Sequence, residues 1–144
     1  MRYPHKLFAL KVGHYPLYAF TFFVTGLASL LIKSVPFSRL SFLLGKRSTY
    51  VSREPTVHQL ARINQISLAL QRVAKYTPWR CKCFEQGLTA KLLLQLTGVQ
   101  STLVFGVTYD ENVKLLAHAW LTCGSVVVTG GSGADQFKEI AVFT

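Results

Sequence analysis

The chain has 144 residues, half of them apolar and 12% aromatic, with sixteen Lys/Arg against six Asp/Glu for a formal charge of +10. That length suits a single domain, and so apolar a composition excludes wholesale disorder. The charge is uneven: residues 1–80 carry twelve basic residues and one acid, Glu54, whereas 81–144 carry four basic and five acidic residues. A basic half joined to a nearly neutral one attracts an anionic partner, whether nucleic acid, anionic lipid or an acidic protein surface. Three cysteines cannot complete a disulfide framework, and with no cleavable signal peptide in view they fit a reducing compartment.

Residues 12–32 hold no Lys, Arg, Asp or Glu. Gly13, His14 and Pro16 interrupt the start, leaving Leu17 to Ile32, ~24 Å of helix against a hydrocarbon core of ~30 Å. The pattern predicts a helix opening at Pro16 and closing near Ile32 or Lys33, buried or interfacial rather than spanning. A short apolar piece, Phe37 to Leu44, stops at Gly45. The run Lys46-Arg47-Ser48-Thr49 and Pro55 then mark a linker between an apolar, basic region (1–55) and a second unit (56–144), together one compact body.

Thr56-Val57-His58-Gln59 is a capping box opening a helix, with Val57, Leu60, Ile63, Ile66, Leu70 and Val73 at three- and four-residue steps and Pro78 as its end. Cys83 to Thr97 is a further helix, with Phe84, Leu88, Leu92 and Leu96 at four-residue intervals and Gly98 as the stop. Beyond it the texture becomes β. Ser101–Tyr109, Val113–Cys123, Ser125–Thr129 and Phe137–Phe143 read as strands, with a turn at Asp110-Glu111-Asn112 and a hairpin loop at Gly130-Gly131-Ser132-Gly133. Helices followed by an antiparallel sheet make an α+β arrangement.

Cys83 opens a helix, where unpaired amides and the dipole favour a thiolate, and Arg80 and Lys82 stand close by in sequence. Cys81 lacks that placement, and Cys123 closes a strand as a small buried hydrophobe. A thiolate nucleophile needs an imidazole partner. His5 and His14 lie in the weakly patterned N-terminus and His58 in a surface turn, whereas His118 is in mid-strand between Ala117 and Ala119. A Cys₃His zinc site from Cys81, Cys83, His118 and Cys123 is disfavoured by the one-residue Cys-x-Cys spacer. The glycine loop lacks the Lys-Ser/Thr of a phosphate loop, and no recognition-helix or aromatic-strand motif supports nucleic-acid binding. No cofactor is called for.

Trp79-Arg80-Cys81-Lys82-Cys83-Phe84, Leu103-Val104-Phe105-Gly106-Val107, Ala117-His118-Ala119-Trp120-Leu121 and Val127-Val128-Thr129-Gly130-Gly131 together resemble the transglutaminase-like B proteins of lasso peptide biosynthesis. The resemblance covers residues 56 to 144. It implies a papain/transglutaminase-like cysteine peptidase, N-terminal helices followed by a four-stranded antiparallel sheet, that removes the leader from a ribosomally made precursor in the cytoplasm. Cys83 is then the nucleophile and His118 the general base and acid. Trp79 would supply an oxyanion donor or wall the cleft, unless it simply packs the helix junction. The third member of the family's triad is an acid after the histidine strand, where Thr129-Gly130-Gly131 offers no carboxylate. Either Asp135, the next acid downstream, returns to the ring, or a backbone or amide oxygen replaces it. A separate leader-recognition protein and an ATP-dependent lasso cyclase are the implied partners; a membrane surface, which the apolar N-terminal run admits, is not the favoured contact. The missing acid also admits a non-catalytic scaffold, and the Cys–His pair admits acyl transfer to an amine.

Overall fold

The computed structural model describes residues 14–47, 50–51 and 53–144; His5 and the Ser48-Thr49 part of the linker lie outside the described residues. Four helices come first: α1 (Tyr15–Ser34), α2 (Phe37–Leu43), α3 (Val57–Val73) and α4 (Cys83–Leu96). Strands β1 (Thr102–Tyr109), β2 (Leu115–Cys123), β3 (Val126–Thr129) and β4 (Lys138–Phe143) follow, with a 3₁₀ turn at Ala134–Gln136 before β4. They form one antiparallel sheet in the order β3-β2-β1-β4. The α+β order read from the sequence is therefore the observed one.

Local signals acted where they were read. Thr56 Oγ1 accepts from the Gln59 amide while Gln59 Oε1 accepts from the Thr56 amide, the reciprocal capping box at the start of α3. Asp110 Oδ1 accepts from the Asn112 and Lys114 amides and forms the β1–β2 turn. Val113 sits in that turn with φ +60 rather than in the strand.

Three expectations need correction. α1 is 20 residues long, because Pro16 lies in its first turn, where a missing N–H costs nothing, instead of interrupting it. Its length no longer argues against a span: at ~1.5 Å per residue it reaches ~30 Å, and by length and composition it is the one described helix able to cross a bilayer. The four-residue stripe on α4 does not stay inward. Each four-residue step overshoots a turn by about 40°, so Leu88 is fully buried while Leu96 is 72% exposed. Finally, the glycine loop joins no hairpin. β3 and β4 lie at opposite edges of the sheet, because β2 has already occupied one side of β1 and the other stands open for β4.

α4 is the central helix, packed against α1, α3 and the sheet. Leu88, Ala90, Leu93 and Leu94 meet Leu103, Ala119, Leu121, Val128 and Phe143 in one core, which Leu40 and Leu44 at the end of α2 also join. At the sheet's β4 edge, Lys46 and Thr144 exchange backbone hydrogen bonds, so the chain leaving α2 is tied to the far end of the fold.

Candidate active site

Cys83 is the first residue of α4 and is half-buried. Its backbone N–H belongs to the opening turn, whose amides have no acceptor within the helix. The segment before it is held by Glu85. That carboxylate is buried, accepts from the Lys82 amide at 3.2 Å and pairs with Arg80 Nε at 3.2 Å. Arg80, taken from the sequence as positive charge for a thiolate, thus spends its guanidinium on Glu85. Burial pushes the Cys81 thiol up to about 11, with the Glu85 charge adding to the effect. Cys123 is also pushed up to about 11 by burial. Both remain thiols near neutrality.

His118 lies on β2 opposite Gly106 of β1. Strand alternation sends Ala119 and Leu121 into the helix-facing core and puts His118 and Trp120 on the alternate positions. The imidazole is half-buried and flanked by Trp120 at 5.9 Å and Phe137 at 5.0 Å between ring centroids. Gly106 makes room for those flanking groups, since a Cβ there would stand 2.8 Å from Phe137 Cβ and 2.9 Å from Trp120 Cη2.

His118 Nε2 donates to the Gly130 carbonyl oxygen at 2.7 Å. A carbonyl can only accept, so the ring hydrogen of neutral His118 is on Nε2 and Nδ1 carries the free lone pair. Gly130 has φ +75, and a Cβ there would press on the Ala119 carbonyl oxygen and stand 2.9 Å from Trp120 Cα. Only glycine turns its carbonyl to the ring at this point without strain. Asp135 sits in the 3₁₀ turn with its side chain exposed, and it makes no hydrogen bond to His118 among the described residues.

Cys83 and His118 are linked through a residue the sequence did not single out. Gln86, one turn beyond Cys83, donates from Nε2 to the Cys81 carbonyl at 2.9 Å and accepts at Oε1 from Thr129 Oγ1 at 3.2 Å. Thr129 precedes Gly130, so Gln86 ties the first turn of α4 to the strand end that orients His118. No hydrogen bond joins Cys83 directly to His118 among the described residues. Trp79 packs the helix junction: its indole N–H donates to Thr25 Oγ1 at 3.3 Å, and its ring lies 4.7 Å from Phe22 and against Gly26. That donor is already engaged. Among the described residues no three His, Cys, Asp or Glu side chains are gathered as a metal site.

The family model for the transglutaminase-like superfamily matches residues 31–142. No curated protein and no solved structure gives a match. Members of that superfamily are usually cysteine-dependent enzymes with a cysteine-peptidase-like fold. Since the match runs from the end of α1 into β4 and takes in the helix that Cys83 opens and the strand that carries His118, the chain belongs to the transglutaminase-like superfamily.

Proposed function

We propose that the protein is a cysteine peptidase that removes the leader from a ribosomally made lasso peptide precursor, with Cys83 as nucleophile and His118 as general base and acid. The observation that carries this reading is the His118–Gly130 hydrogen bond, which puts the hydrogen of the neutral ring on Nε2 and its free lone pair on Nδ1. In the first half-reaction the Cys83 thiol proton passes to Nδ1 and the sulfur adds to the scissile carbonyl carbon. The oxyanion is met by the Cys83 backbone N–H. As the C–N bond breaks, Nδ1 returns the proton to the leaving amine, and a thioester remains. Water then gives a proton to Nδ1 and its oxygen attacks the thioester; collapse of that adduct regenerates the thiol and frees the leader acid. The Gly130 carbonyl keeps the imidazole in the useful tautomer, as a carboxylate does in other triads, but a neutral dipole stabilises the imidazolium less than a full charge does.

The reading extends to partners. The basic N-terminal half serves as the docking surface for the precursor, a separate leader-recognition protein or an ATP-dependent cyclase, in the cytoplasm. The test is cleavage of a leader–core precursor, with the recognition partner supplied, followed by mass spectrometry. Cys83→Ala abolishes leader removal and His118→Ala is nearly as severe, because nucleophile and base act as a unit. Cys81→Ala, Cys123→Ala and Asp135→Asn keep most activity. Full cleavage by Cys83→Ala would end the peptidase assignment and leave a non-catalytic scaffold.

A further inference from the structure

α1 turns one apolar face outward. The side chains it buries are the small ones, Thr21, Thr25, Ala28 and Ser29. Four large apolar side chains face away, Phe20, Phe23, Leu27 and Leu30 being 48, 72, 51 and 60% exposed, whereas Val24, Leu31 and Ile32 pack against the core and Phe22 against Trp79. At roughly 100° per residue these four share an arc of about 80° directly opposite the buried four. The inward hydroxyls of Thr21 and Thr25 are satisfied within the helix, by the carbonyls of Leu17 and Phe22. Small inward residues let α1 lie close to α3, α4 and the Trp79 ring, the mode of packing used between helices in lipid.

A face like this is out of place in water, where an amphipathic helix turns its large apolar side chains to the core. The charges next to it in the chain are of one sign. From α1 through α2 the basic residues are Lys33 and Arg39, both exposed, and neither helix contains an acid. α2, next along the chain, adds Phe42 at 92% exposure. An apolar ridge without hydrogen-bonding groups, on a helix pair that carries exposed cations and no acid, matches the headgroup–acyl boundary of an anionic bilayer. The polar neighbours of α1's first turns argue against a span. Arg72 of α3 donates to the Tyr18 hydroxyl and lies over its ring, and Arg62 and Gln65 line a cavity with Leu17 that reaches the edge of the exposed face at Phe20. A spanning α1 would carry those groups into hydrocarbon.

We infer that the Phe20/Phe23/Leu27/Leu30 face of α1 is a docking surface for an anionic membrane, with the helix lying in the plane of the interface. The side chains enter the acyl boundary while the cations of the same segment meet lipid phosphates, and the rest of the domain stays in water. This holds whether or not the protein cleaves a precursor.

The experiment is co-sedimentation of the full chain with vesicles of phosphatidylcholine alone and of phosphatidylcholine mixed with phosphatidylglycerol. The wild type pellets with the anionic vesicles and binds the neutral ones at least roughly tenfold more weakly. Phe23→Ser/Leu30→Ser loses binding by roughly a hundredfold while keeping its thermal midpoint, because both side chains are exposed. Lys33→Gln/Arg39→Gln weakens binding to anionic vesicles by roughly tenfold. A wild type that stays in the supernatant with both vesicles, or a serine variant that pellets like the wild type, overturns the inference. So does self-association of the wild type that the serine variant abolishes in the absence of lipid, which would give the face to a second copy. Recovery that needs detergent after salt and carbonate washes would make α1 a span and equally overturn it.

Discussion

At the residue scale, the Gly130 carbonyl meets the His118 ring where the proposed mechanism calls for a triad's carboxylate, and its geometry explains why no side chain is there. The carbonyl reaches His118 only because φ is +75, and a Cβ would collide with the Ala119 carbonyl oxygen. Gly133 supplies a control within the same loop: its φ is +73, yet a Cβ added there meets nothing within 4 Å. Gly133→Ala therefore costs about 1 kcal/mol of stability, the left-handed penalty alone, and leaves activity near wild type. Gly130→Ala carries the same penalty and also moves the carbonyl off the ring. Its kcat falls by at least roughly tenfold, the loss expected once the imidazole is no longer held in one tautomer. Equal activities for the two variants, measured on one precursor, would remove the carbonyl from the mechanism.

Among the elements, α4 bears the most constraint, since it touches α1, α3 and the sheet. Its N-terminus is fixed by two side chains acting in different directions. Glu85 closes the helix start on Lys82 and Arg80, and Gln86 crosses to Thr129 of β3. Gln86→Leu removes the bond to the Cys81 carbonyl as well as the one to Thr129, whereas Thr129→Val removes only the latter. At about 1 kcal/mol per neutral hydrogen bond, the thermal midpoint falls by roughly 3 °C for Thr129→Val and about twice that for Gln86→Leu. The informative readout is kcat, which drops in both variants by more than the lost stability accounts for, with KM little changed. A midpoint shift without a kcat effect would reduce Gln86 to a structural brace.

At the scale of the whole molecule, a central helix brings polar groups inside, and Lys91 is the clearest case. It is 1% exposed, with Nζ donating to the Ser101 carbonyl at 3.0 Å. Burial pushes its pKa down from 10.5 to about 8, with the nearby Cys123 acting weakly in the other direction. The unfolded chain then binds more protons than the folded one between about pH 8 and 10.5, so this group makes stability rise with pH across that window. The full effect is on the order of 3 kcal/mol. Cys81 and Cys123, both pushed up to about 11, act oppositely: the unfolded thiols ionise first, and stability falls as pH climbs above 9. The net wild-type curve mixes the two, so the test is a difference. Denaturant unfolding of Lys91→Met and wild type from pH 7 to 10.5 shows a gap that moves in favour of the wild type as pH rises. A gap constant with pH would mean that Lys91 keeps its ordinary proton affinity inside the fold.

What the sequence determined lies within a turn or two of the chain. The Thr56/Gln59 box, the Asp110 turn, the Gly98 stop and the order of helices before strands rest on contacts between residues at most a few positions apart, and these were legible. So was the placement of Cys83 at a helix start, because caps and periodicity are local. The rest needed distant segments to meet. Gln86 acquires its role from Thr129, 43 residues away, and nothing near Gln86 marks it. The Gly130 carbonyl serves His118 because β3 folds back beside β2, so a search for a carboxylate side chain pointed to Asp135, which is exposed. β4 crosses to the far edge because β2 already occupies one side of β1, a fact of sheet assembly rather than of the loop's glycines. The outward turn of Phe23 and Leu30 likewise follows from what α3 and α4 admit against α1. Periodicity tells that a helix forms, but which of its faces is inside depends on the surface it meets.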